Sequence, residues 1–396
     1  MGLSTSAAPR ATLVGCLFFA GFGCLIPFLP LWLEQAQGFT GSQIGLVLAL
    51  GGFSRIIAGP LTAAWAEGQA DRRAPLLLFA TILIIGFAAL WFVKSFMLVF
   101  ALVLVMDIAF WGLVPVIEAM LFRLTRAGRP RHAMARGLAS AAFVLGASAV
   151  GGLVSGFGPW AVWGWLLGIS CMLLLSVFLL PGEAVQGARE APFIARLVAG
   201  LSMLKDRRFV LLIFAAGLVQ SSHSYFYVAG TLIWTGEQQL SATLAGTLWS
   251  TGVLAEVGFL ILLGTWSARF SPESLIVFGA LAAILRWTCL AALPPLWVLV
   301  PLQLLHAGTF ALTFLGGVRL IHVLHGDART PTAQMIYMAI ASAPAQAVTT
   351  LASGALYEHL QPRGDAALGY LSMTLVSVVG LGLALRLWQQ RQPLTG

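Results

Sequence analysis

Charge is scarce in this sequence. Of 396 residues, 22 are lysine or arginine and 14 are aspartate or glutamate, together 9% of the chain, whereas 59% are hydrophobic and the mean hydropathy is +0.92. So small a polar inventory cannot cover a water-facing surface of this size, which excludes an ordinary soluble domain. Cysteine is scarce too. Cys16, Cys24, Cys171 and Cys289 lie within apolar stretches and show no metal-ligand spacing, so no metal site is expected and packing is their role. The sequence also lacks a phosphate-binding glycine loop ending in lysine, an HExxH pair and a nucleophile with its base; an enzyme is not expected.

What the chain has in abundance is long apolar runs. Segments of about 20 residues, enough for a helix to cross a hydrocarbon core of about 30 Å, begin near Thr12, Ser42, Pro75, Phe96, Met134, Trp160, Phe209, Ser241, Pro272, Leu296, Thr332 and Ala366. Nothing alternates polar and apolar as the strands of a transmembrane barrel would. The expectation is an all-α integral membrane protein with twelve transmembrane helices. The first segment is too long for a signal-peptide core and has no small-residue cleavage site, so it is read as mature structure. Placing odd links outside and even links inside leaves Lys94 and Arg363 outside and Arg55 and Arg286 within helices, with the remaining basic residues at the cytoplasmic face. Both termini are then cytoplasmic. The net charge of +8 follows from that retention of positive charge and calls for no nucleic acid.

The longest polar link divides the chain into a six-helix bundle at 1–181, a linker at 182–208 and a second six-helix bundle at 209–396. Within the linker, Phe193, Leu197, Leu201 and Leu204 share a helical stripe with basic residues elsewhere, which predicts an amphipathic helix along the inner membrane surface. Six plus six helices is the organisation expected of the major facilitator superfamily, whose substrate site lies near the bilayer midplane between two halves that rock. Residues 59–75, GPLTAAWAEGQADRRAP, resemble a weakened form of that superfamily's glycine-acid-basic motif; a polar turn with positive-inside charges would contain the same residues. Arg55, Asp71 and Arg72 are read as gating residues. Gly146, Gly151, Gly152 and Gly156 allow close helix packing on the fifth segment.

An ionised side chain at the bilayer centre costs about 2.5 to 3.5 kcal/mol on insertion scales, so each intramembrane charge is a functional candidate. His223, Glu256, Arg286 and His306 fall in the middle third of four consecutive segments, hence at one depth. An arginine beside a glutamate keeps both ionised and a histidine nearby exchanges protons near neutral pH. Glu256, Arg286 and His306 are therefore read as a proton-coupling network; the structural alternative is a buried Glu256–Arg286 pair that fixes helix register. In the first half, Glu118 and Arg136 are placed so that the antiparallel fourth and fifth segments could bring them together; the alternative is that Arg136 is one more positive-inside residue. Asp107 is read as a buried, hydrogen-bonded acid, with a proton or substrate role as the alternative. Among the aromatics, Tyr227 and Trp249 flank the His223 and Glu256 stretches and suit a ring-bearing ligand.

The stretches LVQSSHSYFYVAG, TLWSTGVLAEVGFL, LRWTCLA and LQLLHAGTFAL resemble the phenylpropionate permease family, relatives of the oligosaccharide:proton symporters of the major facilitator superfamily. Matching positions include Gln220, His223, Tyr227, Trp249, Glu256, Arg286 and His306, and in the first half Arg55, Glu118 and Arg136. The chain is also similar to lactose permease in carrying an acid on helix 4 and an arginine on helix 5. It departs from the family at Phe226 and around Gly137 to Ala139. The resemblance implies proton-coupled uptake of a small organic solute, with phenylpropionate-like aromatic acids as the named example. Glu118, Arg136, Gln220, His223, Tyr227 and Trp249 would contact substrate, and the proton gradient would stand in place of any cofactor. A proton-driven antiporter, or a symporter of a sugar or nucleoside, is the alternative. The expected setting is the cell inner membrane, with the monomer as the working unit.

Overall fold

A segment crossing lipid must satisfy its own backbone N–H and C=O groups, and a helix does so internally. The computed structural model describes residues 7–391 apart from 68, 70, 72, 126–128, 183–197, 199 and 263. Among the described residues the regular elements are helices and none is a strand. The first six are α1 (Ala7–Gln35), α2 (Gly41–Glu67), α3 (Ala74–Leu90), α4 (Phe96–Thr125), α5 (Arg129–Phe157) and α6 (Trp160–Phe178). After a 3₁₀ turn at Ser202–Lys205 come α7 (Arg207–Ser221), α8 (Ser224–Gly236), α9 (Ala242–Leu262), α10 (Pro272–Ala291), α11 (Leu296–His306), α12 (Thr313–Ile336), α13 (Ala343–Leu360) and α14 (Tyr370–Gln389). Among the described residues ten spans are long and apolar enough to cross a membrane, and two shorter apolar helices, Gly41–Ser54 and Ala74–Leu90, accompany them.

Two spans carry π-helical turns. α11 passes into α12 through a π-helical turn at Ala307–Leu312, and a second π turn, Tyr337–Ser342, joins α12 to α13. Within α12 the backbone breaks at Gly326, where φ is 66° and ψ 174°, so two helices meet end to end there. Only glycine takes that positive φ without a steric cost.

The chain forms two compact units, one made of Met1–Phe193 with Leu240–Ser250, the other of Ile194–Gln239 with Thr251–Gly396. In the first, α1 packs on α5 and α6, α2 on α4, and α3 on α4 and α6. The α1–α5 seam is set by glycine. A Cβ on Gly23 would collide with the Phe143 carbonyl, and one on Gly146 with that of Ala20, so small residues let the backbones touch, as lipid-embedded helices require. Gly151 is similarly confined by Ala242, whereas Gly152 and Gly156 face open space, so the glycine pattern expected along this helix is half packing and half free surface.

In the second unit α10 packs on α14 and α12, α14 on α7, and α13 on α8. One hydrophobic core of this unit gathers Phe209, Leu212, Ile213, Ile276, Ile336 and Leu387. Large apolar side chains elsewhere point outward, among them Leu145 at 68% exposure and Ile261 at 73%, the surface a lipid solvent selects. Phe193 and Leu197 of the expected linker helix lie outside the described residues; Leu204 rests against the second unit's core.

Candidate functional site

The seventh span is interrupted where its sequence turns polar. Ser221, Ser222, His223 and Ser224 carry side chains that compete with the helical backbone for hydrogen bonds, and α7 ends at Ser221 while α8 begins at Ser224. Ser222 Oγ donates to the Val219 carbonyl (2.7 Å) and accepts from Trp287 Nε1 (2.9 Å). The chain crosses the gap with an i to i−3 bond from His223 N to Gln220 O at 3.3 Å. Broken helices of this kind line binding sites in transporters because they bring backbone polar groups to membrane depth.

His223 is buried in that break. Its Nδ1 lies 3.0 Å from the Gln220 carbonyl, an acceptor only, so in the neutral ring Nδ1 carries the proton and Nε2 accepts from Thr309 Oγ1 at 2.9 Å. Thr309 stands on the π turn and its Oγ1 is also 3.4 Å from Arg286 Nη1 and 3.2 Å from the His306 carbonyl. Tyr227 stacks on the His223 ring with centroids 5.9 Å apart, and Gln220 Nε2 donates to the Phe310 carbonyl at 3.2 Å.

Arg286 is the buried charge at the centre of this cluster. Nη1 donates to His306 Nδ1 (3.2 Å), Nη2 donates to Gln303 Oε1 (2.8 Å), and the guanidinium lies 4.9 Å from the Phe226 ring and 4.8 Å from that of Trp287. Because arginine only donates, Nδ1 of His306 is the accepting nitrogen and its Nε2–H points toward Glu256, whose Oε2 is 3.6 Å away. The expected charges therefore come together with the histidine standing between acid and base. This order has a chemical consequence. A second proton on His306 would occupy Nδ1 and face an arginine N–H, so the ring can take it only by letting go of Arg286. Glu256 is the open end, with 23% of its side chain exposed.

In the first unit Arg136 pairs with Glu118, the two side chains 38% and 39% exposed, and the Arg136 guanidinium sits 4.9 Å from the Phe19 ring centre. Phe22 carries the aromatic surface onward, 5.4 Å from Phe110 and 5.9 Å from both Trp111 and Phe143. Asp107 and Trp111 face α2 at Gly51. Trp249 is buried and belongs to the first unit, whereas Glu256 on the same helix belongs to the second. Tyr225, two residues before Tyr227, ties the chain down: its hydroxyl donates to the Ala366 carbonyl at 2.5 Å.

Of the gating residues, Arg72 and the side chain of Arg55 lie outside the described residues. Asp71 bonds Arg73, whose Nε donates to Oδ2 at 3.0 Å and Nη2 at 2.8 Å, and Arg73 Nη1 reaches the Leu180 carbonyl at 3.4 Å. The Arg73 guanidinium holds the Asp71 carboxyl below the ordinary carboxylate range. Arg10 caps the neighbouring Leu179 carbonyl at 3.0 Å, so two arginines sit on the carbonyl end of α6, where positive charge is favoured.

Gln303 and Thr309 were not among the sequence candidates. The signal was present: they lie three residues either side of His306, on one face of a helix.

Residues 12–364 match the MFS_1 like family. Among curated proteins the chain is 27% identical over 345 residues to the "Probable 3-phenylpropionic acid transporter" of Escherichia coli (strain K12), covering 87% of this chain and 89% of that one. It is 26% identical over 391 residues to the maltose permease of Geobacillus stearothermophilus, covering 96% and 94%. Among solved structures, the nucleoside transporter NupG superposes with a TM-score of 0.86 at 17% identity, over 98% of this chain and all of that one; the likeness is one of fold.

Proposed function

The chain belongs to the MFS_1 like family, and on that premise we propose that it is a proton-coupled symporter that takes up a small organic solute by alternating access, with aromatic acids such as 3-phenylpropionate as the substrate class. The observation that carries this reading is the line Arg286–His306–Glu256, in which a histidine bridges a buried base and a partly open acid at 3.2 Å and 3.6 Å. Such a line is neutral overall with the ring uncharged, and it changes partners when it gains a proton. In this reading the Glu256–His306 pair takes up the proton, on the Glu256 carboxylate or on Nδ1 of the ring, and Arg286 registers its arrival by losing Nδ1 as a partner. Glu118 and Arg136 in the first unit, and Gln220, His223 and Tyr227 in the second, are assigned to substrate, with Trp249 as a further contact. Asp71 and Arg72 keep the gating role proposed for them together with Arg55. The inner membrane is the proposed setting and the monomer the proposed working unit.

The name of the Escherichia coli relative supports the aromatic acid, as do the rings beside Arg136. One observation favours a second reading. Arg136 is already paired with Glu118, and such a balanced pair suits a neutral hydroxylated solute such as a sugar or nucleoside.

The test is external pH in a weakly buffered suspension of proteoliposomes as aromatic acids, sugars and nucleosides are added in turn. Symport predicts alkalinisation with one class, abolished by an uncoupler. Glu256→Gln is expected to lose gradient-driven accumulation while keeping solute exchange. Undiminished accumulation by that variant would defeat the coupling assignment, and acidification in place of alkalinisation would make the protein an antiporter.

A further inference from the structure

Donors outnumber acceptors around Arg286. Its five N–H groups meet His306 Nδ1, Thr309 Oγ1 and Gln303 Oε1, yet Nε has no acceptor among the described residues, nor has the amide nitrogen of Gln303, nor the hydroxyl of Tyr370 as a donor. All three residues are buried, at 1% exposure each. The Tyr370 ring lies parallel to that of Trp287, 6.1 Å away, and Trp287 in turn flanks the guanidinium. A native interior pairs its buried polar atoms, so unpaired donors gathered about one fixed positive charge need a reason.

The arrangement has a directional meaning. The Nε–Nη2 edge of a guanidinium presents two parallel N–H bonds, the fork that fits both oxygens of a carboxylate. Here that edge meets a single amide oxygen, Gln303 Oε1, on Nη2 alone. A carboxylate in the same place would accept from Nε and Nη2 together. Displaced, the Gln303 amide would turn and give one of its own N–H bonds to the incoming group, removing a second orphan. The surrounding surface is aromatic, with Phe226, Trp287 and Tyr370 about the guanidinium. It therefore suits a carboxylate attached to a ring.

We propose that Arg286 and Gln303 form the carboxylate subsite of this protein, and that Gln303 is a built-in stand-in which holds the arginine fork while no substrate acid is bound. This rests on the reading of the substrate as an aromatic acid. It gives the carboxylate an anchor whose fork is held only by a neutral amide, in contrast to Arg136, which is already matched by Glu118. Gln303 acts here as a positioning and specificity residue, since its amide competes with the ligand and then supports it.

The experiment uses the full-length protein in lipid nanodiscs, with tryptophan fluorescence titrated by 3-phenylpropionate and by 3-phenylpropan-1-ol, the same ring and chain without the carboxylate. Wild type is expected to bind the acid more tightly than the alcohol. Gln303→Glu places a permanent competing carboxylate at the fork and is expected to weaken acid binding at least tenfold while leaving the alcohol within threefold. Gln303→Leu, uncharged and of similar size, removes both the competing oxygen and the supporting N–H and is expected to keep acid binding within threefold of wild type, which separates a competing carboxylate from a folding defect. A tenfold loss in this variant too overturns the competition. A Gln303→Glu variant that melts like wild type and binds the acid equally well overturns the subsite and leaves the aromatic-acid reading standing. Equal losses for acid and alcohol in that variant also overturn it. A wild type that binds the alcohol but not the acid, or neither, overturns the aromatic-acid reading and the subsite with it.

Discussion

Replacing Thr309 by valine removes one hydroxyl and almost no volume. That hydroxyl is a polar partner of His223 Nε2, at 2.9 Å, and lies at the long distance of 3.4 Å from Arg286 Nη1. Arg286 Nη1 keeps His306, so the loss falls on His223, which is buried. A buried polar atom left unsatisfied costs about 1–3 kcal/mol. Interhelical hydrogen bonds within membranes reach only about 1.7 kcal/mol. The two ranges overlap at about 1–1.7 kcal/mol, which is roughly a 5- to 20-fold change in an equilibrium constant. A double-mutant cycle with Thr309→Val and His223→Phe, read by thermal unfolding in nanodiscs and by the half-saturating concentration for uptake, isolates the pairwise part. The expected coupling is about 1 kcal/mol, with Thr309→Val carrying most of its loss through His223. Strict additivity, or a Thr309→Val protein indistinguishable from wild type, would refute the assignment of this hydroxyl as the link between the broken span and the arginine.

Two further outcomes follow from the α1–α5 seam and the Asp71–Arg73 pair. Gly146→Ala drives a methyl into the Ala20 carbonyl at the α1–α5 seam and is expected to destabilise by about 1–3 kcal/mol; Gly152→Ala, facing open space on the same helix, should be neutral or stabilising by up to about 1 kcal/mol, and equal melting of the two variants would contradict the seam. For Asp71, whose carboxyl is lowered by its bonds to Arg73, the sign is that of a depressed acid: its contribution is present above the unfolded value of about 3.9 and is lost as pH falls through the folded one. Asp71→Asn should therefore melt lower than wild type near neutrality, by no more than about 1 kcal/mol because both partners are about a third exposed, and the two curves should converge in acid; a gap that persists there would show another cause.

Much of the helical framework was legible because a membrane span leaves a one-dimensional record. Starts expected at Phe96, Trp160, Pro272 and Leu296 coincide with the first residues of α4, α6, α10 and α11, since prolines and polar links mark them. The fifth helix begins at Arg129, earlier than the expected Met134, because hydropathy detects the lipid-embedded part and not the polar turn that continues it. At the cluster, residues costly to bury announced themselves: His223, Glu256, Arg286 and His306 are rare charges in apolar surroundings. Gln303 and Thr309 did not, being ordinary residues whose importance comes from what they touch. The pairing at residue 71 was hidden for a different reason. Arg72 and Arg73 are neighbours of the same type, and sequence alone does not say that Arg73 bonds Asp71 through both its backbone N–H and its guanidinium.

The π turn at Ala307–Leu312 amounts to one residue too many for a regular helix. Each residue of an α-helix advances the azimuth by about 100°, so the surplus sets the angular register between Gln303 and His306 on one side and everything from Thr313 onward on the other. This makes the span a rod with a stored twist. Deleting one residue from a buried helix ordinarily scrambles every face beyond the cut; here a deletion inside the turn would let the helix close into regular geometry while rotating the arginine's partners relative to the half that begins at Thr313. An untwisted rod could stay folded and fill its place in the bilayer, with its two halves no longer facing the neighbours they now serve.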